Sequence, residues 1–215
     1  FNIDYTQIES VITPKTKAIV PVHLFGQCAH MEPILEIARK HNLYVIEDVA
    51  QALGATYYFS DGTFKKAATI GHVAGTSFFP SKNLGCFGDG GAMITTDESL
   101  ANTLSMIANH GQTSLYYHDV VGVNSRLDSI QAAILDIKLR HLDDYVIRRR
   151  KAADYYDKAF EACEQIITPY RAPYSNHVFH QYTLTLNGID REGMKEYLTT
   201  HQIPVKVYYP VPLHL

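Results

Sequence analysis

Lys82 has the neighbours that amine chemistry needs. It sits in the run Gly75-Thr-Ser-Phe-Phe-Pro-Ser-Lys-Asn-Leu-Gly-Cys-Phe-Gly-Asp-Gly-Gly91. Val73 to Phe79 reads as a short buried strand, Pro80-Ser81 as a turn, and the glycines at 85, 88, 90 and 91 as a loop that other groups can approach closely. An amine held at a strand end in such surroundings suits imine formation with a carbonyl. A surface lysine in a mobile turn fits the same residues, and this segment alone does not choose between the two.

A second apolar run, Leu43-Tyr-Val-Ile-Glu-Asp48, ends in acids, with Gln51 three residues further on. In open α/β sheets ligands gather at the carboxyl ends of strands. An aspartate there can pair with the protonated pyridine nitrogen of pyridoxal 5'-phosphate, whose ring then withdraws electrons. A capping or salt-bridged aspartate is the plainer alternative. An Asp at one strand end and a Lys at another, both beside small-residue loops, is more specific than either alone.

Alternating elements must position these groups. Tyr5 to Ile12 is expected to be a helix, Lys17 to His23 a strand, Met31 to His41 a helix with Ile34, Leu35, Ile37 and Ala38 on one apolar face, and Leu43 to Asp48 a strand. This order predicts a parallel sheet with right-handed crossovers. Gly91 to Thr95 reads as a further strand, followed by a helix from Glu98 to His110 that Asp97 caps. Residues 112–127 read as an irregular loop bearing His118, Asp119, Asn124 and Arg126. From Asp128 to Phe160 no proline or glycine interrupts a helical pattern, which would span about 50 Å at about 1.5 Å per residue. Strands are expected at 165–168, 178–187 and 205–209, with a helix from Arg191 to His201.

Composition narrows the function classes. Hydrophobic residues make up 46% of the 215 and charged ones 19%, which fits a globular enzyme rather than a disordered chain. A net charge of -3 gives no reason to expect nucleic acid or an anionic membrane as partner. No apolar run is long enough to span a bilayer. Cys28, Cys86 and Cys163 are odd in number and lack metal spacing, which points to a reducing cytoplasm. Cys86 reads as a small buried hydrophobe, and the eleven histidines show no ligand pairing, so no metal is expected.

The runs Thr16-Lys-Ala-Ile-Val-Pro-Val-His-Leu-Phe-Gly26, Glu47-Asp-Val-Ala-Gln51, Ser77-Phe-Phe-Pro-Ser-Lys-Asn-Leu-Gly85 and Gly88-Asp-Gly-Gly-Ala92 resemble the DegT/DnrJ/EryC1/StrS family. So do Gly122-Val-Asn-Ser-Arg-Leu-Asp-Ser-Ile-Gln-Ala-Ala133 and Tyr208-Tyr-Pro-Val-Pro-Leu-His214. The similarity runs the length of the chain in order. It implies a PLP-dependent aminotransferase acting on a nucleotide-linked keto sugar, with glutamate as the usual donor. The implied fold is α/β and aspartate-aminotransferase-like: a mixed, mostly parallel sheet with helices on both faces, plus part of a smaller α+β domain. Residues 1–140 would belong to the large cofactor domain and 141–215 would begin the small one.

The resemblance also implies roles. Lys82 is the imine-forming amine and Asp48 the partner of the pyridine nitrogen. Gln51 lies near the phenolic oxygen and Ser77 contacts the phosphate. Asn124 reaches the phosphate of the neighbouring subunit, so the complete site belongs to a homodimer. Arg126, Tyr208, Tyr209 and His214 face the substrate, and His23 orients Asp48 from behind, although a satisfied core histidine fits His23 equally well. The family's sugar dehydratase branch carries histidine where this chain has Lys82, which favours amino transfer. The Asn124-to-Asp128 wording leans towards 3-keto sugars, with 4-keto open.

A chain that keeps Lys82 and Asp48 yet cannot hold cofactor is a competing reading. An unrelated nucleotide-binding module is a weaker one, since no Gly-x-Gly-x-x-Gly run opens a helix after a strand. The chain opens Phe1-Asn-Ile-Asp4 and stops at Leu215. Resembling proteins run on at both ends, which implies an internal segment lacking a Gly-Thr phosphate loop and a ring-stacking aromatic. These residues alone are then expected to bind the cofactor poorly.

Overall fold

The computed structural model describes residues 1–212 and residue 215. Helix α1 (Tyr5–Val11) starts where the Asp4 carboxylate accepts the Thr6 N–H at 3.0 Å. Strand β1 (Ala18–Ile19) is followed by helix α2 (Met31–Lys40), with Glu32 in its first turn and Arg39 and Lys40 in its last, as the helix dipole favours. Strand β2 (Tyr44–Asp48) alternates, burying Val45 and Glu47 and leaving Tyr44 exposed. Ile8, Ile19, Met31, Ile34, Ala38 and Val45 share one core, each large side chain contributing about 1.5–3 kcal/mol by burial.

A short hairpin, β3 (Thr56–Tyr58) with β4 (Phe64–Lys66), precedes β5 (Val73–Ser77) and β6 (Gly91–Ile94). The main sheet has the order β1-β2-β5-β6. The first three strands are parallel, with Ile19 opposite Val45 and Asp48 opposite Gly75, while β6 runs antiparallel and sets Gly91 opposite Ser77. The mixed, mostly parallel sheet that the family resemblance implies is present; the alternation alone implies parallel strands, and β6 is the antiparallel exception. β1 is shorter than expected, although Val22 still bridges Asp48.

Asp97 caps α3 (Glu98–Ala108) by accepting the Leu100 N–H at 2.9 Å. The segment expected to be irregular contains a small hairpin, β7 (Gln112–Ser114) and β8 (Tyr117–His118). The single long helix expected over 128–160 is two helices, α4 (Ser129–Leu139) and α5 (Leu142–Phe160), separated at Arg140-His141. The break falls at His141, whose φ of -108° and ψ of 1° leave the helical range, and Leu135 and Leu142 on either side of it bury in one small cluster with Leu84 and Cys86.

Strand β9 (Ile166–Ile167) pairs with β11 (Thr185–Leu186), and β10 (Ser175–Asn176) returns to pair with β3. Cys28 N–H donates to Ser175 Oγ at 2.9 Å, and Val178 is buried in the first core, so residues 172–182 pack back onto the start of the chain. Helix α6 (Arg191–Thr200) follows, while 205–209 forms no strand. The strand expected over 178–187 shrinks to β11 because 178–181 is spent on the turn at 25–26: Val178 N–H donates to Gly26 O and Gln181 N–H to Phe25 O.

Candidate active site at the strand edge

The carboxyl ends of β1, β2 and β5 and the start of β6 lie on one edge because three of these strands run parallel and the fourth returns. That edge collects His23, Asp48 and Ser77, and the 78–90 loop carrying Lys82 spans the gap between β5 and β6. The sheet hydrogen bonds continue to its rim: Asp48 N–H donates to Pro21 O and Val49 N–H to Gly75 O, at 3.0 and 2.9 Å.

The loop is folded tightly. Phe78 N–H donates to Gly90 O and Cys86 N–H to Phe78 O, both at 2.8 Å. A Cβ on Gly85 would lie 2.5 Å from Pro80 O, so only glycine closes the turn after Lys82. Helix α4 grips the far side, where Gln131 Oε1 accepts the Phe87 N–H at 2.8 Å and Lys138 Nζ donates to Gly85 O. Lys138 is thereby committed to a carbonyl. The half-buried Lys82 amine has no side-chain partner among the described residues, and its backbone N–H donates to Phe79 O at 2.9 Å.

Asp48 is half-buried, and its Oδ1 accepts the Ala50 N–H at 3.0 Å. Gln51 is buried at the same edge; its Oε1 accepts the Phe25 N–H at 2.6 Å and its Nε2 donates to Tyr209 Oη at 3.0 Å. Ser77 Oγ accepts the Phe79 N–H at 3.2 Å, which leaves its own hydroxyl proton available.

His23 departs from its expected role. Its Nε2 lies 2.9 Å from Glu47 Oε2 and its Nδ1 accepts the Ala29 N–H at 3.0 Å, so neither ring nitrogen serves the Asp48 carboxylate. Only the backbones meet, His23 N–H donating to Asp48 O at 3.0 Å. Strand alternation is the reason, since consecutive residues on β2 point to opposite faces and the buried face carries Glu47. Glu47 also accepts N–H groups of Ala68, Ile70 and Gly71 at 3.1, 2.8 and 2.8 Å. Burial works against its ionisation, but the His23 bond and the backbone donors win and hold the carboxyl below its usual range.

The remaining expected residues lie apart. Asn124 and Arg126 are exposed and bond to each other, Arg126 Nε donating to Asn124 Oδ1 at 2.9 Å. Among the described residues neither bonds to Asp48, Ser77 or Lys82. Tyr208 and Tyr209 are exposed, and only Tyr209 touches the edge, through Gln51. His214 lies outside the described residues. Tyr182 donates to Asp157 Oδ1 at 2.5 Å, and burial followed by this carboxylate pushes its phenol upwards.

Sequence reasoning missed Asn83, His180 and Arg149. His180 Nδ1 lies 3.1 Å from Asn83 Oδ1, and Arg149 Nη1 donates to the carbonyls of Phe179 and His180 at 3.0 and 3.1 Å. Only the place of Asn83 directly after Lys82 could have hinted at this. A cleft of about 200 Å³ is bordered by Phe25, His177 and Gln181.

The pattern of the DegT/DnrJ/EryC1/StrS aminotransferase family matches residues 1–215. The chain is 48% identical over 217 aligned residues to a pleiotropic regulatory protein of Geobacillus stearothermophilus, covering all of this chain and 56% of that protein. It is 44% identical to the UDP-2-acetamido-2-deoxy-3-oxo-D-glucuronate aminotransferase of Pseudomonas aeruginosa, with 100% and 57% covered. The solved structure of Streptomyces venezuelae DesV in complex with a ketimine intermediate superposes with a TM-score of 0.92 at 41% identity, covering 100% of this chain and 56% of that one. The chain thus spans little more than half the length of these relatives. With the pattern matched from end to end and the strand edge built as described, the chain belongs to the DegT/DnrJ/EryC1/StrS aminotransferase family.

Proposed function

We propose that the protein carrying this chain is a pyridoxal-phosphate-dependent aminotransferase that moves an amino group, with glutamate as donor, onto a nucleotide-linked keto sugar. The observation that carries this reading is the shared edge: an aspartate ending one parallel strand and an unpartnered lysine in the loop after its neighbour. The family is PLP-dependent, and the donor set fits that group. Asp48 has one carboxylate oxygen bonded to Ala50 N–H and the other without a partner among the described residues, Ser77 has a spare hydroxyl proton, and Gln51 Nε2 has a second N–H beyond the one given to Tyr209.

When bound, the cofactor supplies an electron-withdrawing ring for moving an amino group between carbon skeletons. Asp48 would hold the proton at the pyridine nitrogen, Ser77 Oγ would donate to the phosphate, and Gln51 Nε2 to the phenolic oxygen. The Lys82 amine would take the proton from the substrate carbon and return it. Lys138 is a poor rival because its amine already serves Gly85 O.

The relatives named for 3-oxo and 3-amino sugars support a 3-keto substrate. The product would serve the making of amino sugars for surface polysaccharides. Residues 1–140 would form part of the cofactor domain, with the smaller domain starting at 141. Asn124 and Arg126, turned outwards, suit a site shared across a homodimer, where Asn124 would meet the partner's phosphate and Arg126 an anionic group of the substrate. Tyr208, Tyr209 and His214 would border the sugar nucleotide. A dehydratase of the same family is the second reading, and Lys82 counts against it.

The test uses the full-length protein. Borohydride reduction with PLP and peptide mapping should place the pyridoxyl label on Lys82; a label on Lys17 or Lys138 instead would overturn the assignment.

A further inference from the structure

Four segments meet behind the Lys82 turn, and His180 joins them. Its ring is bonded to Asn83, the residue after Lys82, with Nδ1 3.1 Å from Asn83 Oδ1. Its backbone carbonyl accepts from Arg149 Nη1 on α5. Its own segment is pressed against the turn at 25–26, where Val178 N–H donates to Gly26 O at 2.8 Å. A Cβ on Gly26 would stand 2.9 Å from the backbone nitrogens of both Phe179 and His180, and Gly26 has φ +106, so this approach is open to glycine alone. The same turn is bonded to Gln51 through the Phe25 N–H. A continuous path therefore leads from Gln51 through 25–26 and 178–180 to Asn83 and Lys82.

The Asn83–His180 bond is buried on the Asn83 side, where the residue is 5% exposed. With Oδ1 accepting, His180 carries its proton on Nδ1, and the Asn83 Nδ2 group is left buried without a partner among the described residues. An unpaired buried donor is costly, and chains keep such groups where position matters more than stability. Burial lowers His180 to about 4, and the charges of Lys82 and Arg149 add to the effect. The ring is thus neutral at physiological pH and places no second positive charge beside the amine.

We propose that His180 and Asn83 form a clamp that sets the position of the Lys82 amine and ties it to the Gln51 turn. His180 is a positioning residue acting through Asn83. The inference rests on the reading of Lys82 as the reactive amine, but its geometry concerns Lys82 whether or not cofactor is present.

The test reads Lys82 directly in the full-length protein stripped of cofactor, by competitive acetylation with acetic anhydride and mass spectrometry. His180→Phe and Asn83→Ala should each raise the Lys82 labelling rate about fivefold, the worth of one neutral hydrogen bond. The double variant should go no further, because both changes remove one shared bond. His180→Gln, whose amide N–H can still donate to Asn83 Oδ1, should return to within about twofold of wild type. Wild-type labelling in both single variants, additive effects in the double variant, or no recovery with Gln would overturn the clamp. If His180→Phe does not fold, Asn83→Ala and His180→Gln decide alone: faster labelling in the first with near-normal labelling in the second supports the clamp, and any other pattern rejects it. Borohydride labelling of another lysine would overturn the role of Lys82 without altering this comparison.

Discussion

Glu47 and Asn124 are both polar residues in family-like runs, and the chain treats them in opposite ways. The Glu47 carboxylate is 1% exposed and takes four hydrogen bonds, from His23 and three backbone N–H groups. Asn124 is exposed, accepts one bond from its neighbour Arg126, and sits on a segment held by backbone contacts with the end of α3. There a Cβ on Gly111 would fall 1.7 Å from Val120 O, so the crossing depends on glycine. Around that segment Val121 is 96% exposed and Ile130 75%. The Glu47 frame behind the strand edge is satisfied within the chain, whereas the 109–130 segment presents polar and apolar groups outwards. A buried polar group has to find its partners inside the fold, while an exposed one can be left to solvent or to another molecule.

The largest effect should come from the strand edge. Asp48→Asn in the full-length protein should leave PLP bound yet slow amino transfer by about a hundredfold or more, because a neutral amide does not hold a pyridinium proton. Near-normal turnover with cofactor bound would remove Asp48 from the site.

Glu47→Ala should cost roughly 3 kcal/mol or more in denaturant unfolding, since it strands His23 and three buried N–H donors. Because the folded carboxyl lies below its usual value, its contribution is complete above the unfolded value of about 4.5 and fades as pH falls through the folded value. A loss below about 1 kcal/mol would show that the frame does not depend on this carboxylate.

A second acid effect has a different window. His177 and His180 are both lowered to about 4, chiefly by burial, from an ordinary 6.5. The unfolded chain binds the extra protons first, so stability should fall as pH drops from 6.5 towards 4 and be fully present above 6.5. His177→Gln should flatten that part of the melting-temperature profile; an unchanged slope would mean that His177 titrates normally.

The outward segment should respond in activity and hardly in stability. Asn124→Ala or Arg126→Ala should shift unfolding by no more than about 0.5 kcal/mol. Mixing Lys82→Ala chains with Asn124→Ala chains should restore roughly a quarter of wild-type activity, the statistical share of intact sites in a two-fold dimer. No recovery despite proven subunit exchange would dissolve the contrast, leaving Asn124 as a surface turn residue.

Much of the strand edge was legible in the sequence because its signals are local. Apolar runs over 43–48 and 73–79 declare strands, and the spacing of Ile34, Leu35, Ile37 and Ala38 declares the helix that precedes the first of them. Parallel order then places the strand ends together without knowledge of any contact. Helix–strand alternation also led to the parallel strands β1, β2 and β5, while the antiparallel β6 is what makes the sheet mixed.

Tertiary structure alone decided the rest. Whether His23 serves Asp48 or Glu47 depends on which face of β2 is buried, and two adjacent acids look alike in a sequence. The break at Arg140-His141 has no glycine or proline to announce it. His180 meets Asn83 across 97 residues, a separation that no periodicity encodes. Backbone pattern is written by neighbours, but side-chain partnership is written by burial, and burial exists only once the chain has folded.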